Sequence, residues 1–574
     1  GAKLWATTES NIQFFEITNV RGMYSTSEMV AHFGLGKEKV VETLKVIWPD
    51  GKINVRENVA ANQTLTINYS EAGNATEEAN EGSETILREG SGTTGLHYLH
   101  EENKFDDYQK QVLLPHKMST LGPNLSVGDI NQDGKSDLFI GGTAGIAGQL
   151  YVQSDNGTFS GVRQAALIND RLYEDMGSVF IDVDKDGDLD LYVVSGGNEF
   201  EAGSKSYQDR LYLNDGTGQL TSAPDKVPEL TTSGGKVRAC DFDEDGDEDL
   251  LVLGRHIPWS YPEPASSALL LNENGVFKNV TTTVASDLIE IGLMNDAQWI
   301  DYDQDGMKDI VMAGEWTSII ILKNLGEEFR KITSVTLDQA KGWWFSLEVA
   351  DIDSDGDSDL LAGNLGLNYK YKATDEEPFE VYHYDFDNNG SKDVVLTYYN
   401  FGIQYPLRGR QCSAEQIPML EKQFETYDIF ASSDVSEIYG EDKLSESLHL
   451  EATTFASGYF ENKGEGEFEF HALPVESQIS SINDFVVEDV NDDGHLDIVL
   501  AGNQFNVEVE TTRADAGYGM LLLGDGAGGF TSQSKNASGF YVPSEVRSMS
   551  KILMDGHPAL IVGSNADSLK IFSW

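Results

Sequence analysis

The sequence predicts an all-β chain: a β-propeller of seven or eight four-stranded blades, eight being the preferred count, with a small N-terminal all-β domain. Three observations predict it. A nine-residue pattern, D-x-[DN]-x-[DN]-G-x-x-D, recurs seven times, beginning at Asp129, Asp182, Asp241, Asp301, Asp351, Asp385 and Asp489. Short apolar runs rich in β-formers flank each copy, such as Ser178-Val179-Phe180-Ile181 before the second and Leu191-Tyr192-Val193-Val194 after it. The copies start 53, 59, 60, 50, 34 and 104 residues apart, close to the length of one propeller blade.

Residues 1–70 read as the small β domain. Leu44-Lys45-Val46-Ile47-Trp48 and Ile53-Asn54-Val55-Arg56 alternate around the turn Pro49-Asp50-Gly51-Lys52, and a last strand is expected at 63–69. Residues 71–92 are acidic, rich in Gly and Ser and without periodicity, which suits a flexible linker. The propeller occupies 93–574. After each strand–loop–strand unit comes a third apolar run ending in a turn, as in Leu211-Tyr212-Leu213-Asn214-Asp215-Gly216 and Leu269-Leu270-Leu271-Asn272. The longest interval carries an insertion at about 405–450, with a helix expected over 413–427 capped by Ser413 and Gln416. A blade without an acidic loop is expected at 546–574, completed by a strand from near 96–101. The count falls to seven if the loops at 351 and 385 share one blade.

In the pattern, side-chain oxygens stand at positions 1, 3, 5 and 9, and the glycine at position 6 permits a turn with positive φ. A hard divalent cation takes six to eight oxygens at about 2.3–2.6 Å, so the expected ion is Ca²⁺, in about seven structural sites. The ligands would be Asp129, Asn131, Asp133 and Asp137; Asp182, Asp184, Asp186 and Asp190; and Asp241, Asp243, Asp245 and Asp249. Next come Asp301, Asp303, Asp305 and Asp309, then Asp351, Asp353, Asp355 and Asp359. The last two sets are Asp385, Asp387, Asn389 and Asp393, and Asp489, Asn491, Asp493 and Asp497. Helical calcium loops end on a Glu at position 12, whereas these end on an acid at position 9 between strands. The competing reading is a set of acidic β-turns needing no metal, at the cost of crowding carboxylates.

Forty basic against 96 acidic residues give a net charge of −56. Seven Ca²⁺ would leave roughly −42, which disfavours nucleic acid and anionic membrane surfaces as partners. No run is long and apolar enough to span a bilayer. Cys240 and Cys412 cannot build a disulfide framework, and Cys240 suits a buried free thiol. Calcium loops of this kind fit the calcium-rich cell exterior. The chain opens on Gly1 directly in a strand-like pattern, which suggests part of a longer or processed protein.

Phe33-Gly34-Leu35-Gly36, Trp48-Pro49-Asp50-Gly51 and Ala61-Asn62-Gln63-Thr64-Leu65, following Arg21-Gly22, resemble the ASPIC/UnbV domain. The acidic repeats resemble the FG-GAP/VCBS class, which includes the integrin α heads. Together the resemblance covers nearly the whole chain. It implies a fragment of a bacterial surface protein of Bacteroidetes type, exposed at the outer membrane beside SusC/SusD-type transporters. It also implies that a further propeller precedes the ASPIC/UnbV unit.

Segments leaving the second strand of each blade converge, on closure, at the rim opposite the acidic loops. They supply the candidate ligand-binding residues Asn198, Glu199, Arg255, His256, Glu315, Trp316, Asn364, Asn368, Asn503 and Gln504. Their amides, charges and aromatic faces suit a glycan or a peptide. The leading functional expectation is a non-enzymatic, calcium-stabilised surface propeller that binds a glycan, a peptide or a transporter partner. The alternative is a glycosidase or lyase using rim acids such as Glu199 and Glu315, although no catalytic signature occurs. Ordinary turn chemistry also places Gly and Asn at strand ends, and Trp343-Trp344 fits core or channel lining.

Overall fold

A computed structural model describes residues 1–20, 22–73 and 85–574. Arg21 and residues 74–84, the middle of the expected linker, lie outside the described residues. The chain divides into two compact units, Gly1–Thr85 and Ile86–Trp574.

In the first unit Lys3–Thr7, Ile12–Glu16, Val40–Ile47 and Ile53–Ala60 form one antiparallel sheet, the third and fourth strands joined through Ile47 opposite Ile53. Gly51 turns between them at φ +84°. The strand expected at 63–69 does not form. Beyond Ile53–Ala60, among the described residues, the sheet is continued by an isolated bridge from Ile53 to Gly73, and 63–69 joins no ladder.

The second unit contains eight antiparallel sheets, and seven of them close a ring. Their first strands are Leu125–Gly128, Asp175–Ile181, Ser233–Cys240, Leu293–Ile300, Ser346–Ala350, Ile482–Glu488 and Val546–Met554, which define blades 1 to 7 in that order. Adjacent first strands are stitched by polar contacts. Ser126 Oγ lies 2.5 Å from Ser178 Oγ, Arg238 Nε donates to Ala297 O, Ser346 Oγ to Ile482 O, Asn483 Nδ2 to Val546 O and Ser548 Oγ to Pro123 O. Blades 2 and 3 instead approach through backbone: a Cβ on Gly177 would lie 2.3 Å from Gly235 O.

The eighth sheet is not a blade. Phe379–Tyr384, Asp393–Asn400, Ile403–Pro406 and Leu448–Ala452 form a sheet inserted between the second and third strands of blade 5, Asp359–Gly363 and Gly458–Asn462. The preference for eight blades therefore counts a sheet that the ring excludes, and the loop at Asp385 belongs to this insertion. The insertion is accordingly longer than 405–450, running from the end of one blade-5 strand to the start of the next.

Within it the helix begins at Arg410 rather than Ser413 and ends at Gln416. Ser413 is buried inside that helix, its Oγ donating to Arg408 O, and so cannot serve as a cap. The capping box falls instead on Asp434 and Glu437.

Blade 7 is completed by Arg88–Glu89, which pairs with Lys570–Ser573, and not by 96–101. Residues expected at the end of a linker thus close the ring. Leu87 beside this strand is wholly buried with Val546, Val562 and Phe572. Trp343 and Trp344 are core residues, Trp343 packing on Trp316, Phe379 and Phe455.

Candidate functional site

The seven acidic loops share one backbone solution. At position 4 a non-glycine residue takes positive φ (Gln132, Lys185, Glu244, Gln304, Ser354, Asn388 and Asp492, between 57° and 63°). The glycine at position 6 follows at φ between 81° and 98°. This double turn aims the position-6 N–H back at the first aspartate, so Gly134, Gly187, Gly246, Gly306, Gly356, Gly390 and Gly494 donate to Asp129, Asp182, Asp241, Asp301, Asp351, Asp385 and Asp489. The acid at position 9 opens the second strand and is buried. One oxygen accepts the position-2 N–H, as from Val183 to Asp190 at 3.2 Å and Ile352 to Asp359 at 2.9 Å.

In six blades the other oxygen accepts an N–H from the end of the third strand: Gln153, Asn214, Asn272, Asn324, Asn462 or Gly524. Position 9 is therefore a clip between strands as well as a candidate ligand. Burial pushes the carboxyls of Asp137, Asp190, Asp309 and Asp359 up to about 6, and those of Asp249 and Asp393 up to about 7, against the pull of these N–H groups.

Four of those third-strand residues do a second job. The side-chain amides of Asn214, Asn272, Asn324 and Asn462 donate to Ile130 O, Val183 O, Phe242 O and Tyr302 O, each at position 2 of the preceding blade's loop, at 2.7 to 3.2 Å. Gln153 reaches Leu553 O of blade 7 in the same way. Gln132 and Gln304 also link neighbouring loops by donating to Gly187 O and Gly356 O. The loops thus form part of the contact between blades. The Leu-x-Leu-Asn runs ending at Asn214 and Asn272 carry this signal in the sequence, although reading them as turns misses the bridging amide; Asn324 and Asn462 follow Ile321-Leu322-Lys323 and Tyr459-Phe460-Glu461 instead.

The donor set fits a hard cation. Asp182 Oδ1, Asp303 Oδ1 and Asp351 Oδ1 are buried without hydrogen-bond partners, and so are Asp188 Oδ1 and Asp357 Oδ1 at position 7. Burial, reinforced by the neighbouring loop carboxylates, pushes Asp188 and Asp357 up to about 6. The sequence expectation gave position 7 only a backbone carbonyl. The side chains of Asp188 and Asp357 add acids there, visible in the sequence as D-G-D. In the fourth loop Lys323 already brings an ammonium onto Asp303 and to 3.0 Å from Asp305. That ammonium would compete with a divalent ion for these two carboxylates.

The opposite rim differs from expectation. Of its ten candidate residues only Asn368 is exposed and Glu199 half-buried; the others are buried. Residues 101–122 lie across this face, touching segments from blades 1, 2, 3, 4, 6 and 7. Thr143 Oγ1 donates to Glu101 O, Asn198 Nδ2 to Asp107 Oδ1 and Lys117 N to Asn506 O. Gln111 exchanges two hydrogen bonds with the Tyr261 backbone, His116 Nε2 lies 3.1 Å from Glu315 and Asn565 Nδ2 donates to Gly122 O.

Most rim side chains bond to one another, to the plug or to blade backbone, although Arg255 Nη1, His256 Nδ1 and Gln504 Oε1 are buried without partners. Arg255 pairs with Glu315, His256 meets Asn198 and Asn103 donates to Glu199. Trp316 Nε1 donates to Tyr261 OH, Asn364 accepts Trp343 N, Asn368 donates to Ile479 O and Asn503 to Ser544 O. Gln504 exchanges backbone bonds with Ala514. Burial alone would raise the Glu315 carboxyl, but Arg255 and His116 hold it down at about 2. Burial and Arg255 press His256 down to about 3. Most of the rim residues are thus covered and packed rather than open to solvent, Asn368 excepted. Nothing in 101–122 alternates or repeats, so the sequence carries no sign of the plug.

Residues 1–74 match the family model described as ASPIC and UnbV. Residues 129–193, 196–252 and 301–362 match the FG-GAP-like repeat. These matches cover part of the chain each. Among solved structures, this chain is similar to the V. cholerae biofilm matrix protein Bap1 at 10% identity, covering 85% of this chain and 91% of that one, with a TM-score of 0.31. The structure described as YCF48 bound to D1 peptide shares 10% identity over 80% of this chain and 95% of that one, with a TM-score of 0.37. The Dos1 propeller shares 11% over 85% and 95%, with a TM-score of 0.36. The comparison with curated proteins yields no match.

Proposed function

We propose that this chain is a calcium-stabilised, non-enzymatic binding and assembly propeller of a cell surface. The observation that carries the calcium reading is the set of buried loop carboxylate oxygens without partners on a backbone repeated seven times. Such oxygens are costly to bury bare and suit a cation at extracellular concentration. Among the described residues no helix is long and apolar enough to cross a membrane.

A protein partner is favoured by the exposed apolar side chains of the insertion and the rim loops: Phe401 is 97% and Val509 93% exposed. The insertion's outer strand Ile403–Pro406 pairs on one side only among the described residues. A SusC/SusD-type transporter at an outer membrane is the finer form of this proposal, with a peptide or glycan as the other ligand classes.

The hydrolase reading rests on Glu199 and Glu315. Glu315 is wholly buried and ion-paired, and Glu199 is hydrogen-bonded under the plug, which supports binding over turnover. Equilibrium dialysis against calcium tests the main proposal. About seven ions per chain are expected, the fourth loop filling last because Lys323 competes there. Absence of bound calcium at millimolar concentration would remove the calcium part. Polysaccharide cleavage that disappears in Glu199→Gln would overturn the non-enzymatic part.

A further inference from the structure

Six blades share one register position beside their acidic loops. It is the residue just before the third-strand N–H that clips the position-9 acid. Its side chain is half-buried in every case: Val152, Leu213, Leu271, Lys323, Glu461 and Leu523. Four of the six are apolar and bring the loop neither charge nor oxygen. Blades 4 and 5 depart from this in opposite directions.

In blade 4 Lys323 sets its ammonium on Asp303 and 3.0 Å from Asp305, positions 3 and 5 of its own loop. Other lysines touch one loop acid each: Lys135 meets Asp133, Lys226 meets Asp184 and Lys185 meets Asp247. Lys323 bridges two, and its side chain is 25% exposed against 54% for Lys185. The fourth loop thus holds four aspartates with an ammonium between two of them.

In blade 5 the same register position is an acid. The Glu461 carboxylate lies within hydrogen-bonding reach of Asp353, again position 3. That loop already carries five aspartates, and Asp351 Oδ1 and Asp357 Oδ1 are buried without partners. Lys463 and His471, the latter at 2.8 Å, hold Glu461 in place. The Lys463 charge offsets part of the Glu461 charge, so its effect is smaller than that of a bare carboxylate.

The affinity of an oxygen site for calcium follows the charge its ligands bring and how rigidly they are held. An ammonium between two ligands must be displaced before an ion enters, whereas a further acid beside position 3 adds attraction for it. We propose that this one register position sets the order in which the loops take up calcium: the fifth loop, with Glu461, fills first and the fourth, closed by Lys323, fills last. Without calcium, Lys323 is the cation of its loop. The proposal rests on the reading of the loops as calcium sites.

Equilibrium dialysis of the full chain from micromolar to millimolar free calcium, with melting curves beside it, is the test. In the wild type one ion is expected at a free concentration about fivefold below the main group and one at least tenfold above it. Lys323→Leu, which installs the residue that blades 2, 3 and 6 carry, should bring the last ion into the main group. Glu461→Leu should do the same for the first.

Melting separates a change in the loop from a loss of packing. In EGTA Lys323→Leu should melt lower than wild type, because its loop loses the internal ammonium; at saturating calcium it should melt no lower. Equal lowering of Lys323→Leu in both conditions would reduce Lys323 to packing and overturn its role. Calcium uptake in an order that neither substitution changes would overturn the proposal and leave the calcium sites standing. A wild type that binds no calcium would overturn the calcium reading itself, and the proposal with it.

Discussion

Glu102 shows how much one buried residue can reveal. It lies in the plug, accepts a hydrogen bond from Asn565 and leaves Oε2 buried without a partner. Burial pushes its carboxyl up to about 8, Asn565 and Arg547 opposing and Glu199 and Glu545 adding to the rise. Its folded pKa lies above the ordinary carboxylate value, so its contribution is present below about 4.5 and lost as pH rises through about 8. Glu102→Gln should therefore raise the melting temperature at pH 9 and leave it nearly unchanged at pH 5; equal shifts at both would contradict this. Buried histidines act in the opposite direction. His100 and His383 are pressed down to about 4 by burial, so their stability contribution is lost as pH falls below about 6.5. The position-9 aspartates teach a related lesson. The motif marks them as oxygen donors, but only the fold shows that both oxygens already hold backbone N–H groups, as Asp249 does with Phe242 and Asn272.

At the scale of elements, the ring depends on a strand of two residues. Arg88–Glu89 supplies the outer edge of blade 7, and Leu87 anchors it in the core. Leu87→Ala should cost about 2–4 kcal/mol, measured by urea denaturation. Leu99→Ala, in the stretch the sequence favoured for closure but 55% exposed, should cost under about 0.5 kcal/mol. Equal effects would reverse the assignment of the closing strand. The sequence misplaces this strand because Ile86-Leu87-Arg88-Glu89 is too short for any periodicity and sits in an acidic, Gly-rich stretch. The inserted sheet misleads in the opposite direction. Its loop at Asp385 copies the blade motif faithfully, so local pattern cannot tell a blade from a passenger; only the pairing of Leu360 with Phe460 across the insertion does.

At the scale of the molecule, six blade loops and the amide staples between them lie at one end of the ring, and the plug covers the other. A cation bound only by the folded loops adds RT ln(1 + [L]/Kd) per site, about 1.4 kcal/mol at tenfold saturation. Because the loops contact one another across blades, EGTA is expected to lower the melting temperature of the propeller sharply. Asp182→Ala alone should lower it by a fraction of that amount. An unchanged melt in EGTA would sink the staple. The plug also moves the search for a partner from the covered rim residues to the exposed insertion and to exposed rim-loop side chains such as Val509.

By itself the sequence determined the fold class, the two-unit order, the strands around each acidic loop and the oxygen-donor chemistry of those loops. These are local properties: period-two apolar runs, glycine at a forced positive φ, and carboxylates at fixed spacing are all legible within nine to twenty residues. Tertiary structure alone decided the ring of seven, the closing strand, the burial of most of the rim and the ion pairs along the channel. Each of those depends on contacts between residues far apart in the chain, such as Gln111 with Tyr261 and Ser548 with Pro123, which no local pattern encodes.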